Sequence, residues 1–322
     1  MKLATLANGT PDGRLHLVSR DLTRCAPAQA AQTMQAALEH WETLAPMLAA
    51  EYAALNDGDT GERFDPAGAL APLPRAWQWL DGSAYDSHGD LMQKVFKLSP
   101  VDTGGKPLMY QGLSHQFIAP HADVPMPSQD DGIDFEGEFG VICDAVPMGT
   151  TAAAARRHIR LVVQINDWSL RRLAPIEMKT GFGWIQAKPA CSMAPVAVTP
   201  DELGTAWRDA RVDLPLRVDW NGNRFGAAEG YPMSAGFDDL VAHAAYSRAL
   251  VAGTVIGSGT VSNANYREVG SSCIAERRGI ETEDTGEPQT PFMAFGDTVR
   301  MECTLRDGSP LFGAIHQRVV KA

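Results

Sequence analysis

Residues 134–142 read Asp134-Phe135-Glu136-Gly137-Glu138-Phe139-Gly140-Val141-Ile142, and this stretch constrains the fold more than any other. Aromatic, glycine and β-branched residues alternating with acids form a strand pattern. Side chains alternate faces along a strand, so Glu136 and Glu138 project to one side and Phe135, Gly137 and Phe139 to the other. Two carboxylates about 7 Å apart on one face repel each other unless solvent or a cation lies between them. A strand with one solvated face satisfies that condition. So does an oxygen cluster around a hard divalent cation.

Three further acids stand in places where acids are costly. Asp167 follows the apolar run 161–166, at the exit of a buried strand or in a plain Asn-Asp turn. Arg171, four residues on, offers it a cation or is simply a surface charge. Asp81 opens Asp81-Gly82-Ser83-Ala84-Tyr85-Asp86-Ser87-His88, a weak signal alone because Asp-Gly is a common turn. Glu276 ends Cys273-Ile274-Ala275-Glu276 after a largely apolar stretch.

The chain of 322 residues is long enough for a sizeable core, with 44% hydrophobic and 21% charged residues. Its net charge of −11 and the lack of any Lys/Arg cluster exclude a nucleic-acid face. No apolar run approaches the roughly 18–20 residues of a membrane span, and the first residues leave no room for a signal-peptide core. The five cysteines are scattered without a CxxC, which suits a reducing cytoplasm and argues against disulfides or a zinc-thiolate site.

Along the chain, residues 2–7 and 15–19 read as short strands. A helix follows, with Pro27 at its first position, an apolar stripe through Met34, Leu38, Trp41, Leu48, Tyr52 and Leu55, and a kink or split at Pro46. Residues 56–74 have no period and read as a linker, which divides a small N-terminal domain (1–73) from a larger one (74–322). The second part is β-dominated, with strands at 161–165, 214–220, 251–256, 299–305 and 311–315 and hairpin turns at Asn221-Gly222 and Asp307-Gly308. Helices are expected over 151–158 and 237–250, and an exposed loop over 277–290. The fold class is α+β, dominated by β structure.

No GxxxxGK[ST], dinucleotide fingerprint or GxSxG elbow occurs. Taken together and in order, DGSAYDSH (81–88), LMYQG (108–112), DFEGEFGVI (134–142), INDWSLR (165–171), AKP (187–189), GSGTVS (257–262) and CIAE (273–276) resemble the fumarylacetoacetase (fumarylacetoacetate hydrolase) family. Residues 1–73 resemble the small N-terminal domain of its longer members. The resemblance implies a mixed β-roll and a bound Mg²⁺, Mn²⁺ or Ca²⁺, Mg²⁺ foremost, on Asp81, Glu136, Glu138 and Asp167. It makes His88 the catalytic base and Glu276 the acid that orients it. Arg171 and Lys188 become oxyanion-stabilising cations, and Tyr110 and Thr260 substrate contacts.

Three positions depart from the animal-type pattern: Ala174 and Met178 stand where a Gln and a Tyr bind substrate, and Ser83 replaces another Tyr. The resemblance implies hydrolysis of a carbon–carbon bond in a 3,5-diketo acid, foremost fumarylacetoacetate in tyrosine breakdown. Same-fold alternatives are acylpyruvate hydrolysis, oxaloacetate decarboxylation, isomerisation and sugar-acid dehydration. A non-catalytic cation-binding module is the reading of another class. A small-molecule diketo-acid substrate, a homodimer, and no nucleic-acid or membrane partner complete the expectations.

Overall fold

The computed structural model describes residues 1–96 and 102–322. The N-terminal part comprises β1 (Lys2–Leu6), β2 (Arg14–Val18), β3 (Arg24–Pro27), α1 (Met34–Glu39), α2 (Trp41–Asp57) and β4 (Glu62–Arg63). Next come β5 (Trp79–Gly82), α3 (Asp86–Phe96), β6 (Met109–Gln111), β7 (Val124–Met126), β8 (Ile133–Asp134) and β9 (Gly137–Cys143). The middle of the chain holds α4 (Ala152–Ala155), β10 (Ile159–Asn166), β11 (Ser169–Leu170), α5 (Ala174–Thr180), β12 (Ser192–Met193) and β13 (Val196–Val198). After the hairpin β14 (Trp207–Arg208) and β15 (Arg211–Val212) come β16 (Pro215–Trp220), β17 (Asn223–Glu229), α6 (Phe237–Ala244) and β18 (Thr254–Gly257). The chain ends with α7 (Tyr266–Val269), α8 (Ile274–Thr285), β19 (Thr298–Glu302) and β20 (Ile315–Lys321).

One large sheet runs β4-β3-β2-β1-β13-β10-β9-β18-β5-β6, with β12 also on β10, so the N-terminal strands extend the sheet that carries β9 and β10. A second sheet, β17-β16-β19-β20-β7, faces it. Phe139 and Val141 of β9 share a core with Leu216, Val218, Val299 and Phe312 on that side. Ile142, with Leu161, Val163 and Ile165 of β10, packs on the other side with Met34, Leu38, Leu48, Tyr52 and Leu55 of α1 and α2. Covered on both faces, β9 and β10 are mostly apolar on both, as a sandwiched strand requires. The chain is thus a mixed, strand-rich α+β fold. No helix among the described residues is long and apolar enough to cross a membrane.

Several local expectations are corrected. Pro27 ends β3 instead of opening a helix; α1 starts after Thr33, whose Oγ accepts from the Ala36 N–H at 3.1 Å. The helix divides at His40, and Pro46 lies inside α2 on its exposed side without splitting it. Residues 56–74 form a packed strap: Leu70 N–H donates to Thr5 O at 2.9 Å, and Phe64, Ala69, Ala71 and Leu73 are buried. Within 277–290 the chain is helical as far as Thr285, as part of α8, which buries Gly279 and Ile280. Helix α6 stops at Ala244, short of residue 250. Leu311 and Phe312 are buried outside any strand, and the last strand begins at Ile315.

Candidate active site

Four adjacent strands converge on the acids. Asp81 on β5 pairs with Gly257 on β18, which pairs with Gly140 on β9, two residues from Glu138; Glu138 in turn pairs with Ile165 near the end of β10. Residues paired across a sheet share a face, so Asp81 and Glu138 lie on one face with only glycines between them. A Cβ at Gly257 would sit 2.3 Å from Asp81 Oδ1. Asp167 follows β10, its N–H donating to Glu136 O at 2.9 Å. One ligand oxygen from each of Asp81, Glu138 and Asp167 lies within 4.8 Å of the others, and all three residues are buried.

Glu136 is set apart from this triad. It lies at the break between β8 and β9, so the expected single strand is divided there. Its carboxylate accepts from Lys188 Nζ and Ser169 Oγ, each at 2.5 Å, and from Thr260 Oγ. Arg171 Nη2 stands 3.2 Å away while its Nε donates to Asp134 at 2.8 Å. Lys188 also donates to Asp167 Oδ2 at 2.5 Å, as does the Tyr110 hydroxyl, and Cys191 Sγ lies 2.8 Å from Asp167 Oδ1.

The electrostatics divide the acids in two. Burial would raise Glu136, but Arg171 and then Lys188 override it and hold the carboxyl well below its usual range. Glu138 goes the other way: burial first, then Asp81, Asp167 and Glu136, push it well above. Asp81 is pushed up to about 8, by burial and then by Asp167. Among the described residues, both Glu138 oxygens are buried without a hydrogen-bond partner. A buried carboxyl with no donor is costly, and a divalent cation beside it removes both the missing contact and the repulsion. The oxygen-only donors of the triad fit such a hard cation.

His88 and Glu276 come together where α3 docks on α8. Gly279 makes room there: a Cβ would lie 2.7 Å from Met92 Cε and 3.4 Å from Leu91. His88 Nδ1 stands 3.6 Å from Glu276 Oε1, and Glu276 is fully buried. Segment 259–262 ties this pair to the acids. Gly259, in the left-handed region at φ +79°, donates its N–H to Asp81 Oδ1 at 3.0 Å; Thr260 donates to Glu136 and Ser262 to Glu276. Tyr110 and Thr260, expected to touch substrate, thus hydrogen-bond the acids themselves.

Sequence reading missed Asp134, Ser169, Cys191 and Ser262. Asp134 is fully buried, accepts the first N–H groups of α8 (Ile274 at 2.7 Å, Ala275 at 2.9 Å) and binds Arg171. Its signal was present, an acid at the head of an apolar strand, but the neighbouring Glu136 and Glu138 drew the reading. Serines and cysteines announce such contacts only once the fold is known.

Comparison with known proteins gives the family. The family profile described as "Fumarylacetoacetate (FAA) hydrolase C-terminal" matches residues 78–320, and "Fumarylacetoacetase N-terminal domain 2" matches residues 1–75. No curated protein matches the chain significantly. Among solved structures, maleylpyruvate hydrolase from Sphingobium sp. SYK-6, in complex with manganese(II) ion and pyruvate, is similar over 100% of both chains at 17% identity and TM-score 0.67. Fumarylacetoacetate hydrolase from psychrophilic Exiguobacterium antarcticum is similar over 100% of both chains at 16% identity and TM-score 0.66. 5-Carboxymethyl-2-hydroxymuconate delta-isomerase from Mycobacterium smegmatis covers 100% of this chain and 99% of its own at 18% identity and TM-score 0.62. At these identities the structural likeness is one of fold. With both profiles together spanning nearly every residue, the chain belongs to the fumarylacetoacetase family.

Proposed function

We propose that the protein is a divalent-cation-dependent hydrolase cleaving a carbon–carbon bond of a 3,5-diketo acid, fumarylacetoacetate foremost. One observation carries the reading: a histidine paired with a fully buried carboxylate, tied through segment 259–262 to the acid triad. Decarboxylation needs no activated water, so a base with its own orienting acid favours hydrolysis.

Asp81, Glu138 and Asp167 would hold the cation, with Glu136 beside them kept anionic by Arg171 and Lys188. When bound, the cation supplies Lewis-acid polarisation of the substrate's oxygens. Nδ1 of His88 faces Glu276, which leaves Nε2 to take a proton from water. Glu276 then stabilises the imidazolium. Hydroxide adds to the carbonyl carbon, and the electrons of the adjacent carbon–carbon bond leave with the enolate fragment. The proton on His88 returns to that fragment, so one water is consumed and two acids form. Lys188 stays an ammonium because Asp167 and Glu136 outweigh the effect of burial, and its charge favours the oxyanion.

A second reading, an acylpyruvate-type substrate with an apolar arm, is favoured by the segment between Arg171 and Lys188. Ile176, Met178, Phe182 and Ile185 are all exposed there, and both flanking cations are already paired with carboxylates. A panel of fumarylacetoacetate, acylpyruvates and oxaloacetate, followed by loss of enol absorbance with cation and in chelator, tests both. The first reading expects the highest kcat/KM with fumarylacetoacetate and no turnover in chelator. Preference for an apolar acylpyruvate selects the second, and turnover in metal-free buffer overturns both.

A further inference from the structure

We propose that Ser262 and Ser87 are positioning residues that latch His88 to Glu276, an inference that rests on the reading of those two as base and orienting acid. The Ser87 hydroxyl donates to Ser262 Oγ at 2.8 Å, and Ser262 donates to Glu276 Oε1. That oxygen is the one nearest His88 Nδ1, at 3.6 Å. Ser87 is the chain neighbour of His88 in the first turn of α3, whereas Ser262 is fully buried on the core side. The two hydroxyls therefore bridge from the backbone that carries the base to the carboxylate that orients it.

The bridge is needed because little else fixes this carboxylate. Among the described residues, Glu276 Oε2 and His88 Nδ1 are buried without hydrogen-bond partners. Without Ser262, the Glu276 side chain is free to turn about its terminal torsion, and the facing oxygen leaves the imidazole. The start of α3 is itself anchored just before Ser87, where the Tyr85 hydroxyl donates to Gly230 O at 2.7 Å. Removing the latch thus leaves α3 attached and changes only the register of His88 against the acid. A sub-ångström loss of register between base and orienting group is enough to slow proton transfer. Because Thr260 and Gly259 of the same segment hold Glu136 and Asp81, the latch also aligns the pair with the triad.

Steady-state kinetics of the cation-loaded protein with its fastest diketo acid test this. Ser262→Ala is expected to lower kcat about 10-fold or more with KM within about twofold, and Ser87→Ala to lower it about threefold to 10-fold. Ser87→Thr, which keeps the hydroxyl on a half-buried position, recovers most of the Ser87→Ala loss. On a His88→Ala background, Ser262→Ala costs less than about twofold, because it acts through the absent ring. Wild-type kcat in both alanine variants, alongside a slow His88→Ala, overturns the latch and leaves the base assignment standing. Full additivity on the His88→Ala background, or a loss confined to KM, also overturns it by showing a merely structural role. Near-normal kcat in His88→Ala overturns the functional reading and the latch with it. Should Ser262→Ala fail to fold, the Ser87→Ala and Ser87→Thr pair decides alone.

Discussion

At the scale of single residues, the site contains a charged half and a crowded half. Glu136 is satisfied four times over, by Lys188, Arg171, Ser169 and Thr260, whereas Glu138 has no donor among the described residues. This contrast makes stability depend on pH in a definite direction. Asp81 and Glu138 keep protons in the folded chain that the unfolded chain has already released, since both carboxyls are raised by burial and then by neighbouring acids, Asp167 for Asp81 and Asp81 for Glu138. Their contribution is therefore fully present below the ordinary carboxylate range and is lost as pH rises, for Asp81 through about 8. In chelator, the melting temperature is expected to be lower at about pH 8 than at about pH 6, and saturating divalent cation is expected to close most of that gap. A chelated protein that is as stable at the higher pH would contradict the assignment of the triad. Glu136, lowered instead of raised, acts in the acid range and leaves this window unaffected.

His88 is the residue on which rate should depend most specifically. His88→Ala is expected to lower kcat roughly 10²–10⁴-fold while cation affinity stays near the parent value, because the triad is untouched. Isothermal titration with Mn²⁺ beside the kinetics separates the two effects. A parallel fall in affinity and rate would make His88 a packing residue.

At the scale of elements, the site depends on what the strands leave out. Gly140 and Gly257 keep one face bare between Asp81 and Glu138, and at Gly257 the space is already filled, by Asp81 Oδ1 and by Trp79 at 2.3 Å. Neither neighbour is the loose end of a flexible side chain. Gly257→Ala is therefore expected to push the Asp81 carboxylate away and weaken cation binding by about 10-fold or more, with a lower melting temperature. Unchanged Mn²⁺ affinity in that variant would place Asp81 outside the ligand set. Helix α8 shows why elements of this kind were harder to read: it is polar, and in its middle turn only Gly279 and Ile280 are buried, so no apolar stripe marks it. Its N-terminus is fixed by Asp134, 140 residues upstream of Ile274. Pro27 misled for the opposite reason, since its preset φ suits an edge-strand end as well as a helix start.

At the scale of the whole molecule, most of what was legible came from ordered motifs. The acids at 81, 136, 138, 167 and 276 and the histidine at 88 lie in segments scattered over about 200 residues; the sheet order β10-β9-β18-β5 brings Asp81, Glu138 and Asp167 together, and the packing of α3 on α8 brings His88 to Glu276. Strand cores such as 161–165 declared themselves because burial on both faces demands continuous apolar character. The strap 56–74 did not, because its few buried side chains follow no period and find their partners on β1 and β3 only once the fold brings them there. The distinction between Glu136 and the triad was equally hidden. Spacing placed both glutamates on one strand, while the interruption between β8 and β9 and the cations from 171 and 188 assign them different surroundings.

The claim that the cation-loaded protein hydrolyses a carbon–carbon bond is tested most directly by turnover in water labelled with heavy oxygen. Product carboxylates, which do not exchange their oxygens, are then weighed by mass spectrometry. Hydrolysis assisted by His88 and Glu276 predicts one labelled oxygen in the carboxylate newly formed at the cleaved carbonyl, and its loss in chelator. A cleaved or rearranged product whose carboxylates carry no label would contradict the account and point to decarboxylation or isomerisation at the same acids.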